Sequence, residues 1–298
     1  MRVYASALNR ADLLQREGNY PAPPGAPQDI PGMEFAGEVA QLGAEATSWK
    51  IGDRVFGIVA GGANAEYLVT DAGTVARVPE NLSWTDAASI PEAFITAHDA
   101  LVVQAGLQAG EMVLVHAVGS GVGLAVIQLA RAWKATPFGT ARTADKIERA
   151  KVFGLADGVV VRDDVGVIPP ALVQLTKEHG VDVTIDLVGG AYVAASIRAA
   201  AARGRIMLVG TVAGREATVP IGMVLGKRLT LRGTVLRPRS IAEKRAVTAT
   251  FATDVVPLFA SGVLRPTVDC VFELGEIRAA HERLASNATF GKVVIRVD

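Results

Sequence analysis

The chain has 298 residues, and 30 Lys and Arg balance 30 Asp and Glu, so it carries no net formal charge. That balance, with no block of like charges, argues against nucleic acid or a membrane surface as an electrostatic partner. Half of the residues are hydrophobic and Cys270 is the one cysteine; an intrachain disulfide and a thiolate metal cluster are excluded, and the composition reads as a globular cytoplasmic protein with no membrane span.

Residues 1 to 90 are rich in Gly, Pro and short β-like runs, at Glu38-Val-Ala-Gln-Leu42, Asp53-Arg-Val-Phe-Gly-Ile-Val59 and Ala65-Glu-Tyr-Leu-Val69. Their spacing predicts a small, irregular, barrel-like β domain. Asn9–Arg16 reads as one or two helical turns, followed by a Pro-rich loop that carries Tyr20. Leu82–Asp86 has the pattern of a helix N-cap, and Ala87 to Val103 has helical spacing.

Strand and helix patterns then alternate: strands at 112–118, 136–141, 158–162, 182–187, 205–210 and 229–235, with helices at 121–134, 143–153, 168–179 and 191–202. Such alternation predicts an α/β fold with a doubly wound parallel sheet and right-handed crossovers. Gly119, Gly121 and Gly123 follow the first of these strands and open an amphipathic helix. Glycines in that place let a ligand approach unshielded main-chain N–H groups at a positive helix end, which suits a pyrophosphate. The literal G-x-G-x-x-G pattern needs glycine at 124, where the chain has Leu124, so a tight turn in another α/β protein explains the cluster about as well. A nucleophile elbow needs glycines where Val118 and Val122 stand. The tail, from about Ser240, predicts a helix to Ser261, a strand near 268–273, a helix at 276–286 and a strand at 292–297, returning to the character of the first ninety residues.

No carboxylate closes the second strand of the alternation, which runs Thr136-Pro-Phe-Gly-Thr-Ala-Arg142, with Thr143 and Lys146 just beyond. An acid there would bind the ribose hydroxyls of NAD, so its absence favours NADP, with Asp145 in the next helical turn as the competing sign. The four histidines, at 98, 116, 179 and 281, have no metal-ligand spacing. Asp186, ahead of Gly189 and Gly190, reads as a local cap. No paired carboxylates or Ser/His/Asp set stands out, which fits chemistry carried by a cofactor.

Several motifs in order now resemble one family. They are Ala5-Ser-Ala-Leu-Asn-Arg-Ala-Asp12, Gln15-Arg-Glu-Gly-Asn-Tyr20, Ile90-Pro-Glu-Ala-Phe-Ile-Thr-Ala97, His116-Ala-Val-Gly-Ser-Gly-Val-Gly123, Gly204-Arg-Ile-Met-Leu-Val-Gly210, Leu229-Thr-Leu-Arg-Gly-Thr-Val-Leu-Arg237 and Gly291-Lys-Val-Val294. The chain resembles, over nearly all its length, the zinc-free quinone oxidoreductases of the medium-chain dehydrogenase/reductase superfamily, and within them the p53-inducible branch. The resemblance implies a GroES-like catalytic domain at 1–92 and 238–298, a Rossmann NADPH-binding domain at 93–237, and reduction of a quinone by hydride, with the proton donor left open. It also implies a homodimer through the strand near 229–235. Carried over by position, Ser120, Gly121 and Val122 contact the pyrophosphate, Thr143 and Lys146 bind the 2′-phosphate, Thr96 and Gly210 approach the nicotinamide, and Asn9 and Tyr20 line the quinone pocket. Arg142 joins the phosphate group on charge alone. Gly32-Met-Glu34 replaces the Gly-His-Glu of metal-dependent relatives, so Met33 removes a zinc ligand.

Two departures qualify the resemblance. Relatives begin about thirty residues earlier, so the first strand is expected to lose a neighbour, and Val161 is expected where relatives place a tyrosine beside the adenosine. An enoyl or alkenal reductase, with Tyr20 as proton donor, and an NADPH-binding protein with little turnover are the alternatives.

Overall fold

The computed structural model describes residues 1–297. The chain divides into two compact units, Met1–Thr96 with Leu236–Asp298, and Ala97–Val235.

The first unit is built on a six-stranded sheet in the order β11-β12-β1-β2-β3-β4. Its strands are β1 (Arg2–Leu8), β2 (Glu34–Glu38), β3 (Arg54–Ile58), β4 (Val75–Arg77), β11 (Val268–Glu273) and β12 (Lys292–Arg296). Strand β1 pairs antiparallel with both β12 and β2, so it has a neighbour on each side, contrary to the expectation that it loses one. Alternate residues of these strands enter one core: Val3, Phe35, Val55, Val293 and Ile295 pack with Leu13 from the helix Arg10–Arg16 and Leu284 from the helix Ile277–Ala285. Phe35, wholly out of solvent, contributes on the order of 2–3 kcal/mol by its burial. The stretch expected as a strand at 65–69 forms none; Tyr67 makes only an isolated bridge to Arg2, and Val69 stands 99% exposed. The expected β-run at 38–42 overlaps β2 only at Glu38; Val39, 1% exposed, still enters the core just beyond the strand's end, with Leu42 packed against it.

The second unit is a six-stranded, wholly parallel sheet in the order β10-β9-β8-β5-β6-β7. Its strands are β5 (Met112–Val115), β6 (Thr136–Ala141), β7 (Asp157–Val160), β8 (Val181–Asp186), β9 (Ala200–Leu208) and β10 (Thr230–Gly233). Val113, Leu114 and Val115 are fully buried, as expected for a central parallel strand covered on both faces. The chain passes from β5 to β6 on one side and returns to β8 on the other, so the order reverses at β5. A doubly wound sheet takes its ligand at that reversal, outside the carboxyl ends of the strands. The sequence missed the short helix Ile221–Lys227 and the early start of β9, which takes in residues 200–202, read as helix.

Candidate functional site

The carboxyl end of β5 leads into the glycine turn. Ala117 takes a left-handed conformation (φ 59°) and Ser120 sits at the N-cap of the 12-residue helix Gly121–Ala132. The Ser120 hydroxyl donates to the Ala117 carbonyl at 2.8 Å and accepts from the Gly123 N–H at 3.0 Å. Its first duty is therefore to hold the turn. The N–H groups of Gly121 and Val122 have no protein acceptor among the described residues, and they point out of a positive helix end. Gly123 is required by geometry, since a Cβ there would lie 2.4 Å from the Ala117 oxygen. Gly210 is required likewise: a Cβ would lie 2.4 Å from the Leu187 oxygen, and its N–H donates to the Asp186 carbonyl at 3.1 Å.

Beyond β6, Arg142 and Thr143 are exposed. Thr143 occupies the N-cap of the helix Ala144–Lys151 without using its hydroxyl as a cap, and Lys146 follows in the first turn. Asp145 pairs with Arg149 at 3.4 Å, so the carboxylate that competed for a ribose is engaged by its own helix. At the end of β7 an open cavity of about 520 Å³ is lined by Ala144, Val160, Arg162, Asp163, Asp164 and Val167. Val161 does not reach it. At 1% exposure it lies in the core with Leu114 and Phe138, because alternation along the strand turns it inward and brings Arg162 to the cavity. Val161 was the residue expected at the relatives' tyrosine position, and the sequence reading did not single out Arg162.

Two polar groups below the turn are structural. Asp186 caps its loop as expected, with Oδ1 accepting from Val188 N at 2.8 Å and Gly189 N at 2.9 Å. His116 is buried between the hydroxyls of Thr140 and Ser196, 3.0 and 2.9 Å from its ring nitrogens, and burial, opposed by Asp186, pulls its pKa down to about 4. It is a neutral cross-link between strands and helix.

The first unit holds a buried polar network that composition alone did not suggest. Asn9 lies at the end of β1, Asp12 on the following helix, Glu34 on β2 and Lys292 on β12. Lys292 Nζ lies 2.6 Å from Glu34 Oε1 and donates to Asn9 Oδ1 at 2.6 Å. Asn9 Nδ2 in turn donates to Glu34 Oε1 at 2.8 Å. The Asn9 amide, expected to line an acceptor pocket, is thus engaged at both ends inside the network. Asp12 accepts from Asn9 N at 2.7 Å and Gly32 N at 3.0 Å, and burial raises its pKa to about 6 against those bonds.

Above this network runs a helical segment from Pro91, of which Pro91–Ile95 is π-helical. Glu92 N donates to Glu34 Oε2 at 2.8 Å. Thr96, one turn on, is buried, and its Oγ1 has no hydrogen-bond partner among the described residues. A buried hydroxyl left in that state is a position for a ligand's amide or carbonyl. Tyr20 packs its ring 5.0 Å from the guanidinium carbon of Arg237, and Arg237 donates to the Tyr20 carbonyl at 3.1 Å. Within the second unit, the free N–H groups at the glycine turn suit the pyrophosphate of a dinucleotide.

The chain matches the alcohol dehydrogenase GroES-like domain over residues 1–80 and the zinc-binding dehydrogenase domain over 121–253. It is 34% identical to quinone oxidoreductase-like protein 2 of Rattus norvegicus over 98% of its own length and 83% of that protein's. The chain belongs to the quinone oxidoreductase-like proteins of the medium-chain dehydrogenase/reductase superfamily. Among solved structures, an NAD-dependent alcohol dehydrogenase superposes with TM-score 0.88 at 30% identity, covering 100% of this chain and 91% of that one. The CurK enoyl reductase superposes with TM-score 0.86 at 25% identity, covering 100% and 90%. The chain is accordingly an oxidoreductase of α/β fold, of a superfamily that uses a nicotinamide cofactor, and among the described residues no helix is long and apolar enough to cross a membrane.

Proposed function

We propose that this oxidoreductase is an NADPH-dependent quinone reductase that works without a metal. The observation that carries the reading is the likeness to a quinone oxidoreductase-like protein along almost the whole chain. NADPH, when bound, supplies hydride from nicotinamide C4. The Gly121 and Val122 N–H groups hold its pyrophosphate, with Ser120 keeping the turn in shape. Arg142, Thr143 and Lys146 meet the 2′-phosphate, supported by the engagement of Asp145 with Arg149. Thr96 and Gly210 fix the nicotinamide side, and Tyr20 forms a wall for the quinone, with Asn9 setting the network behind it. Positioning supplies most of the rate.

The metal-free reading rests on donor chemistry. Met33 offers a buried thioether, and Glu34 is already committed to Lys292, Asn9 and the Glu92 N–H. We place the enzyme in the cytoplasm as a homodimer. Strand β10 is the edge of its sheet and Val235, just after it, is 52% exposed, which suits pairing with a second copy.

Purified protein should oxidise NADPH with members of a panel of ortho- and para-quinones; no oxidation across the panel would remove the reading. The likeness to an enoyl reductase keeps a second reading, reduction of an enoyl or alkenal substrate. Binding of NADPH with no acceptor consumed would instead indicate a binding protein with little turnover.

A further inference from the structure

Among the described residues, Glu92 is the one carboxyl of the buried cluster whose oxygens accept no hydrogen bond. The first unit brings together three acids, Asp12, Glu34 and Glu92, and two cations, Lys292 and Arg237, near enough to act on one another electrostatically. Lys292 is spent on Glu34 and Asn9. Arg237, 5% exposed, directs its donors to neutral oxygens, those of Ala60, Tyr20 and Gln15. Fully ionised, the cluster would carry one uncompensated negative charge in poorly solvated surroundings, and a single proton removes it. Asp12 and Glu34 each accept hydrogen bonds that favour the carboxylate; among the described residues none reaches the carboxyl oxygens of Glu92. The proton therefore belongs on Glu92, whose pKa burial, and then Glu34, push up to about 8 against the pull of Lys292.

The side chain is placed to use that proton. Glu92 is half-buried: its carboxyl sits among desolvated neighbours, which raises its pKa, while the remaining exposure lets water recharge it. It lies near enough to Tyr20 to raise that phenol's pKa. Its carbonyl accepts the Thr96 N–H, so the two side chains lie one turn apart on the same helical face as the orphaned Thr96 hydroxyl.

We propose that the Glu92 carboxyl is the catalytic acid of the reduction, donating its proton to an acceptor held beside Tyr20. The proposal rests on the quinone reductase reading. Hydride brings two electrons and one hydrogen to the quinone, which becomes a quinolate anion. The O–H bond of Glu92 then breaks, its proton forms the second O–H bond of the quinol, and water reprotonates the Glu92 carboxylate.

The test joins spectroscopy with kinetics in wild type and Glu92→Gln. In cofactor-free protein, infrared difference spectra between about pH 6.5 and pH 9.5 should show loss of a carboxylic-acid band that the variant lacks. With 1,2-naphthoquinone, wild-type kcat should fall as pH rises through about 8, whereas the variant should be about 100-fold slower at pH 7 and lack that limb. NADPH binding, followed by fluorescence, should change less than about twofold. A variant with wild-type kcat and the same limb, or wild type without the infrared band, would overturn the assignment. Should Glu92→Gln not fold, Glu92→Asp keeps the acid one methylene further back; it should retain the limb with kcat lowered at least about threefold, and an unchanged kcat would overturn the proposal. Wild type that oxidises no NADPH with any quinone would instead defeat the quinone reading, while the infrared band still reports the proton.

Discussion

Lys292 Nζ and Glu34 Oε1 lie 2.6 Å apart, with their side chains 6% and 0% exposed. The pair joins β12 to β2 across β1, and so ties the C-terminal part of the first unit to its N-terminal part. Lys292→Met leaves Glu34 buried without its cation, and should lower unfolding free energy by about 3–5 kcal/mol. Adding Glu34→Gln should recover part of the loss. Urea unfolding of the two variants checks this; a single variant as stable as wild type would show the pair to be dispensable.

Ser120 holds the helix end through its bonds to Ala117 and Gly123. Ser120→Ala should cost about 1 kcal/mol of stability, the usual worth of such a cap. The Gly121 and Val122 N–H groups remain in the variant, so any loss of NADPH affinity should come through a loosened turn. An unchanged urea midpoint contradicts the capping role.

Lys146→Glu reverses the charge in the first turn after β6. Loss of one charge-assisted bond to a 2′-phosphate, worth about 1.5 kcal/mol, should weaken NADPH binding about tenfold and leave NADH nearly unchanged. Parallel fluorescence titrations read the ratio, and a variant that keeps the wild-type preference puts the phosphate elsewhere.

Stability against pH follows from groups whose folded pKa values differ from their ordinary ones. His116, pulled from 6.5 to about 4, makes the fold less stable as pH falls below 6.5. Asp12, raised from 3.8 to about 6, and Glu92, raised from 4.5 to about 8, act in the other direction: each favours the fold at low pH and loses that advantage as pH rises through its folded value. Of the three, Glu92 changes most between 6.5 and 8, where unfolding should release its proton, and the other two contribute equally to wild type and a Glu92 variant. Wild type should therefore lose stability relative to Glu92→Gln across that window, and parallel urea midpoints with no such difference would contradict it.

What was legible in the sequence was what is local. The β5–turn–helix unit could be read because three glycines, an apolar run and helical spacing fall within about twenty residues of one another. The cap at Asp186 was legible for the same reason. Glu92 was not, because its state is set by residues 12, 34, 237 and 292, which only the fold brings together. The facing of Val161 was not legible, because a strand's alternation reverses the facing of adjacent residues and puts Val161 in the core while Val160 and Arg162 line the cavity. Residues 65–69 have the composition of a strand but no partner to pair with beyond one bridge.

The most direct test of the account compares 1,2-naphthoquinone with a 2-enoyl thioester, each with NADPH and with NADH, by kcat/KM. The account predicts the highest value for the quinone with NADPH, at least about tenfold above every other combination. Faster turnover of the enoyl thioester, or equal use of NADH, would contradict it.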